Sequence, residues 1–374
     1  MRPLIPLYQP DLSGKERQYV LECIDTAWIS SRGDFKARFE NAFADYVGVP
    51  YAVSVNNGTT ALHLALHCLG IGPGDEVIVP TLTYIASVNT IKQTGAIPVF
   101  AEVNHGDWEL DPADIRRRVT SKTKAVMAVH LYGAVCDMHT IGEIARQHNL
   151  MVIEDCAEAL GSTFAGQHVG NFGDVACFSF YGNKTLTTGE GGMVVTRKAS
   201  LAERLRLVCN HGQSPTRRYW HIELGFNYRM TNICAALGLA QIERLPATVT
   251  RKRAVAQRYR QALADSRVTM QQLHSEACSG EWLMSVLLPA DVDRDCTMEA
   301  LAGAGIETRP VFACAHEMPM YYREQHFPIA EEISRRGISL PSFPALTNDE
   351  ITYIARRLTQ LLLRNRAVEV IAEG

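Results

Sequence analysis

The chain has 374 residues, 47% of them hydrophobic, and a formal net charge of −3. That apolar content can build a large core and predicts one big domain plus a smaller one. A balanced charge without a basic block argues against nucleic-acid binding, and no apolar run approaches the roughly 18 residues of a membrane span. The first residues hold no apolar signal-peptide core. Ten cysteines lie scattered with no Cys-x-x-Cys pair, which reads as a reduced, cytoplasmic protein with neither a disulfide frame nor a zinc site.

Strand-like runs then alternate with helical periods. Residues 51–55 predict a strand, 59–69 a helix, 76–79 a strand, 85–94 a helix and 97–103 a strand. A short helix follows Pro112, then come a strand over 124–130, a helix over 138–148 and a strand at 151–153. This rhythm predicts an α/β fold, a mostly parallel sheet with helices on both faces, whose ligands bind at the carboxyl ends of the strands. Further on, 231–244 predicts a long helix before Pro246, and 250–264 a second, charged one. Residues 282–288 read as a strand, 297–304 as a helix, 306–308 as a short strand and 348–363 as a closing helix. The expected division is a large domain over 1–246 and a small α+β domain over 247–374, with the N-terminal segment free to pack on the latter.

Two residues stand out on chemical grounds. Lys184 follows the apolar run Val175-Ala176-Cys177-Phe178-Ser179-Phe180 and opens a small, polar, glycine-rich stretch to Gly192. A lysine at such an edge is partly desolvated, which lowers its pKa and frees the amine to attack a carbonyl. Asp155 ends another apolar strand, where a carboxylate needs a cationic partner to be buried. An aldehyde-reactive lysine with a carboxylate for a pyridinium nitrogen is the pairing that pyridoxal 5'-phosphate requires. Upstream, Asn56-Asn57-Gly58-Thr59-Thr60 opens an apolar helix. Its free N–H groups make a phosphate site, although an ordinary Asn N-cap explains the same residues. Rival motifs fail. Gly182-Asn183-Lys184-Thr185 lacks the glycines of a Walker A loop, Gly70-Ile71-Gly72-Pro73-Gly74 follows a helix where a dinucleotide fingerprint follows a strand, and His63 and His67 lack the intervening glutamate of a zinc helix.

The segments Glu154-Asp155-Cys156-Ala157-Glu158-Ala159, 179–192 and Gly225-Phe226-Asn227-Tyr228-Arg229-Met230-Thr231-Asn232 resemble the nucleotide-sugar aminotransferases of the DegT/DnrJ/EryC1/StrS family, and the likeness runs over residues 5–344. Within that family, Tyr219-Trp220-His221, 80–87 and 307–312 are most similar to the GDP-perosamine synthases. The resemblance implies a fold-type I enzyme with pyridoxal 5'-phosphate carried on Lys184. It implies Gly58, Thr59 and Ser179 at the cofactor phosphate, Tyr84 on the pyridine face, Asp155 at the ring nitrogen and Glu158 near the phenolic oxygen. Asn227 resembles the asparagine that reaches the phosphate in the neighbouring subunit, which implies a homodimer with shared active sites.

Trp28, Ser30, Arg309 and His316 fall on segments similar to the family's sugar-nucleotide pocket. The implied reaction is ping-pong transamination of GDP-4-keto-6-deoxymannose to GDP-perosamine with glutamate as donor, in O-antigen or antibiotic synthesis. A lysine at position 184, where a dehydrating relative has histidine, favours transamination. Two stretches depart from the nearest subfamily, Ala313-Cys314-Ala315 and Ala134-Val135, so a UDP- or dTDP-linked keto sugar stays open. A non-catalytic regulator that binds the cofactor is the alternative of a different class.

Overall fold

The computed structural model describes residues 3–322 and 324–372, with side chains through Leu363. Helices α1 (Glu16–Asp25) and α2 (Asp34–Val47) precede strand β1 (Tyr51–Val55). The chain then alternates through α3 (Gly58–Cys68), β2 (Glu76–Pro80), α4 (Ala86–Gln93), β3 (Ile97–Ala101), α5 (Pro112–Arg118), β4 (Thr123–Val129), α6 (Met138–His148) and β5 (Met151–Asp155). A small hairpin, β6 (Thr163–Phe164) and β7 (Gln167–His168), leads to β8 (Val175–Ser179) and β9 (Gly192–Thr196). Helices α7 (Ala199–Val208), α8 (Asn232–Ile242) and α9 (Leu245–Ala262) follow. The rest comprises β10 (Thr269–Met270), β11 (Ala277–Cys278), β12 (Met284–Leu287), α10 (Arg294–Gly303), β13 (Arg309–Pro310), α11 (Pro328–Arg336), β14 (Gly337–Leu340) and α12 (Asn348–Ala372).

The main sheet runs β1-β9-β8-β5-β4-β2-β3. Its pairs are parallel except those of β9, which lies antiparallel to both β1 and β8. Side-chain alternation explains why both faces are dry. Val53, Val55, Val77, Val79, Met127 and Ile153 join the core under α3 and α4, while Ala52, Ile78, Val126, Ala128, Val152 and Phe178 join the core shared with α2 and α6. A third core lies between the sheet β10-β12-β14-β13 and helices α9 and α12. Ile5 belongs to this third core and bridges Ile306, while Leu7, two residues on, joins the first core.

Boundaries differ from expectation where local signals were misread. Pro246 does not divide two helices by breaking one. It occupies the first turn of α9, where its missing N–H costs nothing, so α9 starts five residues before the expected 250 and the expected domain boundary falls inside that turn. The strand expected at 306–308 sits at Arg309–Pro310, because Gly305 turns the chain with φ +76° and Ile306 is spent on Ile5. The strand expected to stop at Ile153 carries on to Asp155, so Glu154 and Asp155 are both strand residues facing opposite sides.

Candidate active site

The carboxyl ends of β1, β2, β4, β5 and β8 and the start of β9 share one edge, and a cavity of about 520 Å³ opens there. At its back, Gly192 pairs with Val55 on one side and Ser179 on the other. A Cβ at Gly192 would stand 2.5 Å from the Asn57 carbonyl oxygen, so the β9 backbone can press against the start of α3 only as glycine. Asn57 caps α3: its Oδ1 accepts the Thr60 N–H at 2.8 Å, and the Thr60 hydroxyl accepts the Asn57 N–H at 3.3 Å. With Thr60 occupied, the N–H groups of Gly58 and Thr59 are left at the positive end of the helix, and both residues line the cavity. A Cβ on Gly58 would meet Ser179 Cβ at 2.7 Å. Gly58, Thr59 and Ser179 thus form a cradle of helix-start backbone and small hydroxyl side chains of the kind a phosphate takes. The N-cap reading and the anion-site reading both hold, on different atoms of one turn.

Asp155 ends β5 with 5% of its surface exposed. Ser87 Oγ donates to its Oδ2 at 2.8 Å and the Ala157 N–H donates to Oδ1 at 3.1 Å, while Thr83 Oγ lies 3.0 Å from Ser87 Oγ. Burial pushes the Asp155 pKa up, and the hydrogen bonds and the Lys184 charge oppose that only in part. Glu158 is buried beside it and accepts the Tyr132 N–H at 3.0 Å. Its pKa is raised to about 7, first by burial and against the pull of Lys184. Lys184 Nζ lies 3.5 Å from Glu158 Oε1. Burial lowers the lysine's pKa, with Glu158 and Asp155 pulling the other way.

A wall of aromatic rings closes one side. Lys184 Nζ sits 3.7 Å from the centre of the Trp282 ring. Trp282 stacks on Tyr132 at 6.0 Å, Tyr132 on Phe312 at 5.3 Å, and Phe312 leans on Tyr84 at 5.6 Å. Tyr84 is 57% exposed, an aromatic face left open to the cavity.

Of the expected site residues, the fold brings Gly58, Thr59, Tyr84, Asp155, Glu158, Ser179, Lys184 and Arg309 into one cavity. Trp28, Ser30 and Asn227 are exposed and lie outside this chain's cavity. His316 does not line it either. It is 3% exposed, with Nδ1 2.7 Å from Thr81 Oγ1 and Nε2 3.3 Å from Glu331, so its ring nitrogens are engaged inside the protein. Sequence reasoning missed Trp282, Tyr132, Phe312 and Ser87. Trp282 and Tyr132 look like ordinary core aromatics in their own segments, while Phe312 and Ser87 carried no signal apart from lying in the stretches 307–312 and 80–87.

The residues fit pyridoxal phosphate: a buried carboxylate short of a cation, a depressed lysine amine and a helix-end cradle face one space. The DegT/DnrJ/EryC1/StrS aminotransferase family matches residues 10–359. The chain is 51% identical to GDP-perosamine synthase of Escherichia coli O157:H7, covering 95% of this chain and 98% of that one. It is 47% identical to GDP-perosamine synthase of Vibrio cholerae, covering 94% and 97%. The putative sugar aminotransferase Spr1654 from Streptococcus pneumoniae, in its PMP form, superposes with a TM-score of 0.93 at 28% identity over 98% of this chain and 99% of that one. This chain belongs to the DegT/DnrJ/EryC1/StrS aminotransferase family and is a pyridoxal-phosphate-dependent aminotransferase.

Proposed function

We propose that the chain transfers the amino group of glutamate to the 4-keto carbon of GDP-4-keto-6-deoxymannose, giving GDP-perosamine. The observation that carries this reading is the Lys184 amine between Glu158 and Asp155 at the cavity floor, in a chain with full-length likeness to GDP-perosamine synthases. When bound, the cofactor supplies an aldehyde that takes up the donor's amino group and a ring that accepts the electron pair left when the α-proton departs. Lys184 Nζ moves that proton, and its lowered pKa keeps more of the amine neutral than an exposed lysine would allow. Asp155, fixed by Ser87 and Ala157, holds a proton at the ring nitrogen. Gly58, Thr59 and Ser179 take the phosphate, Tyr84 covers a ring face, and Glu158 lies near the phenolic oxygen. Arg309, at the cavity mouth beside Glu307 (3.5 Å), faces the sugar nucleotide.

The test is turnover of nucleotide 4-keto sugars with glutamate, read by mass. GDP-4-keto-6-deoxymannose is expected to have the highest specificity constant. A value ten or more times higher for a UDP- or dTDP-linked sugar, about 1.4 kcal/mol of transition-state preference, would replace the substrate and leave the chemistry standing.

We further assign the enzyme to a cytoplasmic homodimer of O-antigen synthesis, in which Asn227, Trp28 and Ser30 serve the partner's site. Their exposure outside their own chain's cavity supports this, as do the exposed rings of Tyr219 and Trp220 nearby in sequence to Asn227. A reducing compartment suits the ten unpaired cysteines. Mixing Lys184→Ala with an impaired Asn227→Ala protein should restore activity after subunit exchange, because one site of the mixed dimer carries neither lesion. Verified exchange without recovery would remove the shared site.

A further inference from the structure

Lys252, on α9, is a buried charge that the reaction above does not use. It is 1% exposed, and its ammonium donates to two main-chain carbonyls, those of Trp282 at 3.0 Å and Ser342 at 3.1 Å. The nearest carboxylate influence, Glu281, is itself held by Arg260 at 2.6 Å. Burying an ammonium on neutral acceptors is costly, and such breaches of the burial rule concentrate where function demands them.

Its partners give the reason. Strands β12 and β14 pair Met284 with Leu340, and Trp282 and Ser342 lie two residues beyond that pair, one on each side. There Lys252 donates to both carbonyls and ties the two segments together. Lys252 Nζ also lies 5.1 Å from the ring centre of Tyr8. Trp282 and Tyr8 are the residues that grip the reactive loop from outside. Trp282 Nε1 donates to the Asn183 carbonyl at 2.8 Å, the Tyr8 hydroxyl donates to the Lys184 carbonyl at 2.8 Å, and the Trp282 ring lies beneath the Lys184 amine. Contacts on the main chain and on the amine of residues 183 and 184 thus converge on one buried lysine.

We propose that Lys252 is a positioning residue: by holding Trp282 and Tyr8 it fixes the loop of Lys184 and keeps the Lys184 amine pressed on the Trp282 ring, in its desolvated place. The inference rests on Lys184 being the reacting amine. Burial brings the Lys252 pKa down to about 7, and the amine keeps enough N–H donors for both carbonyls on either side of that value. The groups that face the Lys184 amine are Glu158, Asp155 and Trp282; Lys252 reaches the amine through the Trp282 ring and the Lys184 main chain through Tyr8.

The test uses cofactor-free protein. Acetic anhydride labelling of Lys184, followed by mass spectrometry across pH, gives the midpoint at which its amine becomes reactive. In Lys252→Met that midpoint should rise by about half a pH unit or more, toward an ordinary lysine, as the Trp282 ring loses its hold and water reaches the amine. Lys252→Arg, which keeps a cation, should bring it most of the way back. In loaded enzyme, Lys252→Met should lower kcat about tenfold with the sugar's KM changed less than twofold, and adding Trp282→Phe should make it little worse. An unmoved midpoint with an unmoved kcat would overturn the proposal, whatever the melting temperature does. Should Lys252→Met fail to fold, Trp282→Phe alone must raise the midpoint, and failure to do so overturns the proposal equally. Attachment of the cofactor to a lysine other than Lys184 would instead remove the reading on which the inference rests.

Discussion

Glu154 and Asp155 are neighbours on β5, both buried, and they behave in opposite ways. Glu154 turns to the α2 and α6 side of the sheet, where the N–H groups of Gly170, Phe172 and Gly173 donate to it and His130 Nε2 lies 3.2 Å away. Burial works to raise its pKa, but these hydrogen bonds outweigh burial and hold it below the ordinary value. Asp155 turns to the cavity, has two donors, and ends with a raised pKa. One carboxylate is saturated by its own chain, and the other is left short of a positive partner. That shortfall marks the cavity face as the side built for a ligand, and the saturation marks the opposite face as framework.

Substitutions on the two faces should therefore separate activity from stability. The largest loss is expected from Lys184→Ala, which removes the amine that moves the proton: kcat should fall by about a thousandfold or more with the melting temperature little changed. Asp155→Asn comes next. It keeps the shape but not the charge, and turnover should drop by roughly a hundredfold. Across the strand the pattern inverts. Glu154→Gln sets an amide N–H against donors already in place and should cost about 1–3 kcal/mol in a denaturant titration, while kcat of the folded fraction stays within a few-fold. Equal activity losses for Asp155→Asn and Glu154→Gln would erase the distinction between the faces.

A smaller effect is expected from Glu158, whose pKa rises from an ordinary 4.5 to about 7 in the fold. Between those values the folded protein binds more protons than the unfolded chain, so this group makes stability fall as pH rises from about 4.5 to 7. The slope is at most about 1.4 kcal/mol per pH unit. Glu158→Gln in cofactor-free protein should flatten that part of the stability curve. A curve of unchanged slope would show that Glu158 does not carry the proton.

The cavity face was legible in the sequence where chemistry and chain order coincide. Asp155 ends one apolar strand and Lys184 lies in the turn after another, and parallel topology carries such ends to one edge. The helix start at Gly58 announced itself through its cap residues. The aromatic wall was not legible as a wall: Tyr132, Trp282 and Phe312 come from three distant segments, the first two read as core, and the stretch around Phe312 did not show what its ring stacks on. Nor could the sequence show that His316 is turned inward to Thr81 and Glu331, since its neighbours in the chain do not reveal which way a 3₁₀ turn faces. Glu154 went unnoticed as framework because its donors are backbone N–H groups of a loop and His130, which follows a different strand and gives no sign in the sequence of facing it.

The central claim, that Lys184 is the reacting amine, is tested most directly by loading the protein with pyridoxal phosphate, reducing with borohydride and mapping the modified peptide. The account predicts one pyridoxyl group, on Lys184. A pyridoxyl group on any other lysine, including the buried Lys252, would contradict it.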